Sequence, residues 1–230
     1  MLNFLGRGAA FYTKEANTSA YFIWKQKFFL IDCGETVFSK LQEKNLLEHP
    51  LDVYAIITHL HADHVGSLPT LISYCFLKLH KKINVIHPNP KIVELLKIMG
   101  VSPGFYNYDP VAEPMKEWDD IAVEFIKAGH VDDMECYSLK LEIGGCKLYY
   151  SGDSGVLSGQ MVEQLANREI DVLYQDTCKG NGRGGSHLSL RRLKEMVPEG
   201  GLRGKVYCMH LDSDFTDEIN EAGFKVVSID

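Results

Sequence analysis

The sequence contains no C-x-x-C pair. Its six cysteines, at 33, 75, 136, 146, 178 and 208, are scattered, and a chain of 230 residues is too long to depend on a disulfide scaffold. They are expected as reduced thiols, mostly buried. No apolar run approaches the roughly 20 residues that span a bilayer. The opening MLNFLGRGAAFYTKEANTS shows neither the charged leader nor the long apolar stretch of a secretory signal. The expectation is a cytoplasmic chain with no membrane partner. Positive charge is also scarce: the net charge is −7 and the sequence pI is near 5.7. That excludes broad nonspecific nucleic-acid binding, which needs Lys and Arg to displace counterions. It leaves room for a small anionic substrate, because bound metals are themselves large local charges. Low-complexity segments and long linkers are missing as well, so one domain spanning 1–230 is expected.

What is present is a succession of short apolar runs. Strands are expected at Leu2–Leu5, Ala20–Trp24 and Phe28–Ile31, the last two forming a hairpin across Lys25-Gln26-Lys27. Further strands fall at Val53–Ile57, Ile83–Ile86, Ile121–Ile126, Cys136–Ile143, Cys146–Tyr150, Val172–Gln175, Val206–Met209 and Phe224–Ile229. Gly144-Gly145 is a hairpin signal. Helical spacing marks Thr36–Asn45, Leu68–Leu79, Pro90–Met99, Gly159–Asn167 and Leu190–Met196. The Pro-, Gly- and Tyr-rich stretch 101–114 and the segment 179–187 are expected as loops. Strands dominate both halves and helices fall between them. Two mixed sheets face to face, with helices outside, fit this better than one all-parallel sheet.

The densest chemistry is ITHLHADHVGSLP, residues 57–69. His59, His61, Asp63 and His64 crowd together where an apolar strand stops. Four such groups are costly to bury unless something cationic holds them. Two residues apart on an extended chain, His59 and His61 point the same way. Asp63 and His64 follow as the chain turns, and four donors so close suit two neighbouring ions better than one. His130 in IKAGHVDD, Asp153 in YYSGDSG and His210 in VYCMHLD also follow strand ends, which is how a site is assembled at one end of a sheet. Imidazoles with carboxylates suit zinc, with manganese or iron also compatible. His49, His80 and His87 are read as satisfied or solvated residues.

HLHADH matches the H-x-H-x-D-H signature of the metallo-β-lactamase superfamily. VGSLP resembles the segment that ribonuclease Z and its relatives carry next. FLGRGAAF, NTSAYFI, LIDCGE and YSGDS are similar to successive segments of that branch, in the same order along most of the chain. The resemblance implies an α+β fold, an αββα sandwich with two zinc ions. It implies His59, His61 and His130 on one ion, Asp63, His64 and His210 on the other, and Asp153 bridging. Asp32 would orient a ligand histidine by hydrogen bond. DTCKGNGRGGSHLSLRRLKEM, residues 176–196, resembles the branch's paired segments in which a carboxylate supports a histidine, here Asp176 and His187. The catalytic residues implied are thus Asp63, His187 and Asp176. Lys179, Arg183 or Arg191 would contact phosphate, and Tyr106 and Tyr108 a base.

There are two departures. Ribonuclease Z carries a long arm for the tRNA elbow between the third histidine and the bridging aspartate, whereas His130 to Asp153 has room only for a hairpin. Arg7 replaces a small polar residue in the opening turn. The expected substrate is therefore a small phosphodiester of the cyclic-nucleotide kind and not a long tRNA, hydrolysed by water activated between two metals. The alternatives are ribonuclease Z-like RNA 3′ processing, hydrolysis of a lactone, thioester or lactam, and a metal-stabilised nucleotide-binding protein without turnover. A homodimer whose second subunit reaches the substrate pocket, through the 101–114 loop, is a further expectation.

Overall fold

Adjacent parallel strands need a crossover long enough to bring the chain back, and the order of strands and helices here supplies six of them. The computed structural model describes residues 1–48, 52–111, 115–118, 120–180 and 183–230. It divides into two compact units, residues 1–112 with 228–230, and residues 113–227.

The first unit contains β1 (Asn3–Gly6), β2 (Ser19–Trp24), β3 (Lys27–Ile31), α1 (Val37–Glu43), β4 (Asp52–Ile56), α2 (Ala62–Val65), α3 (Leu68–Leu77), β5 (Ile83–Ile86), α4 (Lys91–Ile98) and β6 (Tyr106–Asp109). Its six strands lie side by side in sequence order. β1, β2 and β3 pair antiparallel, and from β3 onward every pairing is parallel. Each parallel step carries a helix: α1 before β4, α3 before β5, α4 before β6. These helices bury stripes such as Val37 with Leu41 and Ile92 with Leu96, four apart and so on one helix face. The stripes join Leu30, Val53, Ala55, Ile83 and Val85 in one core.

The second unit contains β7 (Met115–Trp118), β8 (Ile121–Lys127), β9 (Tyr137–Ile143), β10 (Cys146–Tyr150), α5 (Gly159–Ala166), β11 (Val172–Asp176), α6 (Leu190–Met196), β12 (Val206–Met209), α7 (Thr216–Glu221) and β13 (Lys225–Val226). Its sheet repeats the plan of the first. β7 to β10 pair antiparallel, and β10 to β13 parallel. The whole interval from His130 to Asp153 is the β9–β10 hairpin with its flanking turns. Gly144 and Gly145 turn it with φ of 56° and 84°, the left-handed pair that a tight hairpin requires. Ser158 and Ser189 cap α5 and α6, their hydroxyls accepting the amides of Met161 and Arg192. Met161, Leu165 and Leu193 then pack on Leu173, Val206 and Cys208.

Two expectations change, and two short helices are added. Within 101–114, Pro103–Phe105 forms a 3₁₀ turn and Tyr106–Asp109 an edge strand beside β5, while 112–114 lie outside the described residues. Pro and Gly punctuate only the start of that stretch, and the alternating tyrosines after it fit a pleated surface. The final strand shrinks to Lys225–Val226, because Ile229 leaves to bridge Phe4 and the Asp230 amide donates to the Phe4 carbonyl. The short helices α2 and α7 lack the length that gives a readable hydrophobic period. All six cysteines are free thiols, five of them buried. Among the described residues, no helix is long and apolar enough to cross a membrane.

Arg203 ties the helix ends of the second unit. Buried, it donates from Nε to the Val197 carbonyl at 3.0 Å, and from its two terminal nitrogens to the carbonyls of Ala222 and Lys194 at 3.0 and 2.9 Å. These are the carbonyls that helix C-termini leave without partners. Arg203→Leu should therefore lower the free energy of unfolding by about 3 kcal/mol, since hydrogen bonds to a charged donor are lost and acceptors stay buried. Denaturant titration by circular dichroism checks this, and an unchanged midpoint would contradict it.

Candidate metal centre

The donors of the first unit stand on one short excursion. β4 ends at Ile56, residues 57–61 carry the chain off the strand, and it then tightens into α2 with His61 as its N-cap. His59, Asp63 and His64 are buried, and His61 is half-buried. Gly34 permits this packing: a Cβ on it would lie 1.9 Å from the Asp63 carbonyl oxygen.

Asp32 organises the group. Completely buried in the turn after β3, at a positive φ of 62°, it accepts three hydrogen bonds. The Thr58 amide donates to Oδ1 at 2.7 Å, while the Thr58 hydroxyl and His64 Nδ1 donate to Oδ2, both at 2.8 Å. A hydroxyl has one proton to give. Thr58 gives its proton to Asp32, so the 3.1 Å contact between Thr58 Oγ1 and His59 Nδ1 is a bond donated by the imidazole. With Nδ1 of both His59 and His64 engaged, the nitrogen each offers to a cation is Nε2. Asp32 thus accepts from His64, a histidine expected as a ligand. Thr58 is the residue that sequence reading passed over, although it stands inside the quoted motif.

The donors of the second unit follow β8, β10 and β12. Asp153 is buried, and its two oxygens face different histidines: Oδ2 lies 3.6 Å from His130 Nε2, and Oδ1 lies 3.3 Å from His210 Nε2. The other nitrogens face groups behind them. His130 Nδ1 donates to the Ser186 carbonyl at 2.9 Å, and His210 Nδ1 lies 3.5 Å from Asp176 Oδ1.

The donor set fits divalent cations. Metal–ligand bonds of about 2.0–2.1 Å at the tetrahedral angle place neighbouring donors about 3.3 Å apart. Within the first unit, His59 Nε2 and His61 Nδ1 are 3.0 Å apart, and His64 Nε2 and Asp63 Oδ2 are 3.4 Å apart. The two Asp153 contacts, at 3.6 and 3.3 Å, are similar. Direct bonds between an imidazolium and a carboxylate would be shorter, about 2.7–2.9 Å. These histidine and aspartate clusters could hold metal ions. Cys33, next to Asp32, is completely buried, and burial pushes its thiol up to about 12.

His187 joins the same end of the second sheet. Its Nδ1 meets Asp176 Oδ2 at 2.7 Å, and its ring lies 5.0 Å from that of His130 and 5.2 Å from that of His210. Burial opposes its charged form. The hydrogen bond and charge of Asp176, with a contribution from Asp153, outweigh burial and raise its pKa above the ordinary histidine value. Asp176 Oδ2 is itself fixed by the Ser154 amide at 2.9 Å.

The basic and aromatic candidates make contacts of their own where their side chains are described. Lys179 pairs with Glu218 at 2.7 Å on the surface, and Arg191 with Glu195 along α6. The side chain of Arg183 lies outside the described residues, as does His49. Tyr106 is buried in the first core, and the Tyr108 hydroxyl donates to the His87 carbonyl. His87 is buried with Nδ1 donating to the Ile57 carbonyl at 2.9 Å. Arg7 pairs with Glu15 across the opening turn.

Comparisons with known proteins agree with the fold and narrow the family. A family model described as anti-Pycsar protein Apyc1 matches residues 1–227. An anti-Pycsar protein Apyc1 of Bacillus phage BSP38 is 27% identical over 245 residues, covering 96% of this chain and 93% of its own length. A ribonuclease Z of Methanococcus maripaludis is 35% identical over 111 residues, covering 47% of this chain and 35% of its own. Among solved structures, the metallo-β-lactamase fold protein YhfI of Bacillus subtilis superposes with a TM-score of 0.77 at 19% identity, over 98% of this chain and 94% of that one. The metallo-β-lactamase fold implied by the sequence is therefore the fold observed.

Thr58→Val removes the hydroxyl that sets the His59 tautomer and leaves the chain's own donors in place. It should weaken divalent-metal binding about 10–100-fold, the usual cost of losing a group that orients a ligand. Competition with a chromophoric chelator measures this, and wild-type affinity would refute the relay.

Proposed function

The chain belongs to the anti-Pycsar protein Apyc1 family, and from that premise we propose that it is a binuclear metal-dependent phosphodiesterase acting on a small cyclic-nucleotide-type substrate. The observation that carries the reading is Asp153, one buried carboxylate whose two oxygens face two different histidines. A carboxylate so placed suits a bridge between two cations and offsets part of their repulsion. In this reading His59, His61 and His130 would hold one ion, Asp63, His64 and His210 would hold the other, and Asp153 would serve both. Two divalent ions, zinc by donor chemistry, would supply Lewis acidity and a water acidified toward neutral pH.

The chain's own residues do the rest. Asp32 and Thr58 keep His59 and His64 turned to present Nε2. His187 is raised toward its protonated form and is only part-buried, so it suits either binding a phosphate oxygen or handing a proton to the departing alkoxide. Asp176 accepts from Nδ1 and favours the charged ring, so the proton offered to substrate is the one on the other ring nitrogen. The bare β9–β10 hairpin between His130 and Asp153 supports a small substrate over a long RNA.

Purified protein should contain about two metal ions per chain. It should turn over cyclic mononucleotides in a panel that also holds a tRNA precursor, a lactone and a thioester. His64→Ala and Asp153→Ala should each lower kcat/KM by more than about 10³-fold. Full activity after chelation, or turnover of the lactone and thioester with inertness to every phosphodiester, would overturn the reading. His187→Ala should cost about 10²–10⁴-fold on a cyclic nucleotide. It should cost far less on bis(p-nitrophenyl) phosphate, whose leaving group needs no proton. Equal losses on both substrates would assign His187 to binding.

A further inference from the structure

The segment Gly184-Gly185-Ser186-His187 touches more of the second unit's chemistry than His187 alone. Gly184 and Gly185 have φ of 63° and 85°, a region that glycine enters without strain. The carbonyl of Gly185 lies flat against Gly155: a Cβ on Gly155 would stand 1.5 Å from that oxygen and 2.6 Å from its carbon. Gly155 in turn donates its amide to the Gly129 carbonyl at 2.8 Å. Three stretches of backbone therefore meet here: the one leading into His130, the one leaving Asp153, and the one ending at His187. At this junction the Ser186 carbonyl receives the His130 Nδ1 proton, and one residue later His187 engages Asp176.

We infer that residues 184–187 are a positioning element shared by His130 and His187, and that Gly155 sets its distance. The Ser186 carbonyl accepts only from a protonated Nδ1, so it commits His130 to binding a cation through Nε2. The same short segment places the His187 ring 5.0 Å from the His130 ring. Cation retention and the leaving-group step then depend on one backbone contact, which no side chain larger than hydrogen at position 155 can preserve. This inference rests on the reading of His130 as a metal ligand.

The test begins with zinc-loaded full-length protein and imidazole ¹H–¹⁵N correlation spectra. His130 should be protonated at Nδ1 and bound to zinc through Nε2. Gly155→Ala should weaken zinc binding about 10–100-fold in chelator competition, and kcat should fall with it. Gly201→Ala, at a glycine with open space around it, should leave zinc binding and kcat unchanged. Should Gly155→Ala fail to fold, the wild-type spectrum decides alone. Zinc bound with His130 bare at Nδ1, or a folded Gly155→Ala with wild-type zinc affinity, would overturn this inference and leave the metal reading standing. Failure of the wild type to bind zinc would overturn both.

Discussion

An imidazole has two nitrogens and can give only one of them to a cation without losing its neutral form. A centre built from histidines therefore depends on what grips the other nitrogen. Here the grips are of three kinds. Asp32 holds His64, the Thr58 hydroxyl holds His59, and the Ser186 carbonyl holds His130. Each is buried or backbone-fixed, which spares the site the entropy of ordering a ring at the moment of binding. The sheets exist, in functional terms, to hold these grips still. Asp32 follows β3, Thr58 follows β4, and Asp176 closes β11, all at the carboxyl ends of strands in parallel pairing. Those ends are where open parallel sheets bind their ligands.

Much of this was legible in the residues alone. HLHADH announces itself because no packing role explains so many donors in so few positions. His130, Asp153 and His210 could be selected because each follows an apolar run, although nothing local distinguishes them from solvated residues. The strand and helix pattern gave two mixed sheets, and α6 appeared with its observed bounds. What stayed hidden shares one property: it is carried by atoms that sequence patterns do not register. Ser186 acts through a carbonyl that any residue owns. Gly155 acts by having nothing where other residues have a Cβ. Thr58 acts through the direction of a single proton. Tyr106–Asp109 was misread because the proline and glycine at 103 and 104 mask the alternation behind them.

One stretch beside the site is short, and the sequence exposed its length. Between His130 and Asp153 the chain spends its residues on one antiparallel hairpin closed by two glycines. The opening turn departs from the related pattern at Arg7, and its guanidinium answers to Glu15 eight residues on. That substitution is thus accounted for inside the first unit, as a local tie across a turn. The net charge of −7 agrees with a site whose positive potential comes from bound cations.

The two sheets run on one plan, three antiparallel pairings in the second and two in the first, followed by three parallel ones. The strand at which the pairing changes is β3 in the first sheet and β10 in the second. An aspartate follows each: Asp32 directly after β3, Asp153 three residues after β10. One spends its oxygens inward on Thr58 and His64, and the other turns them outward to His130 and His210. Equivalent places thus carry unequal duties.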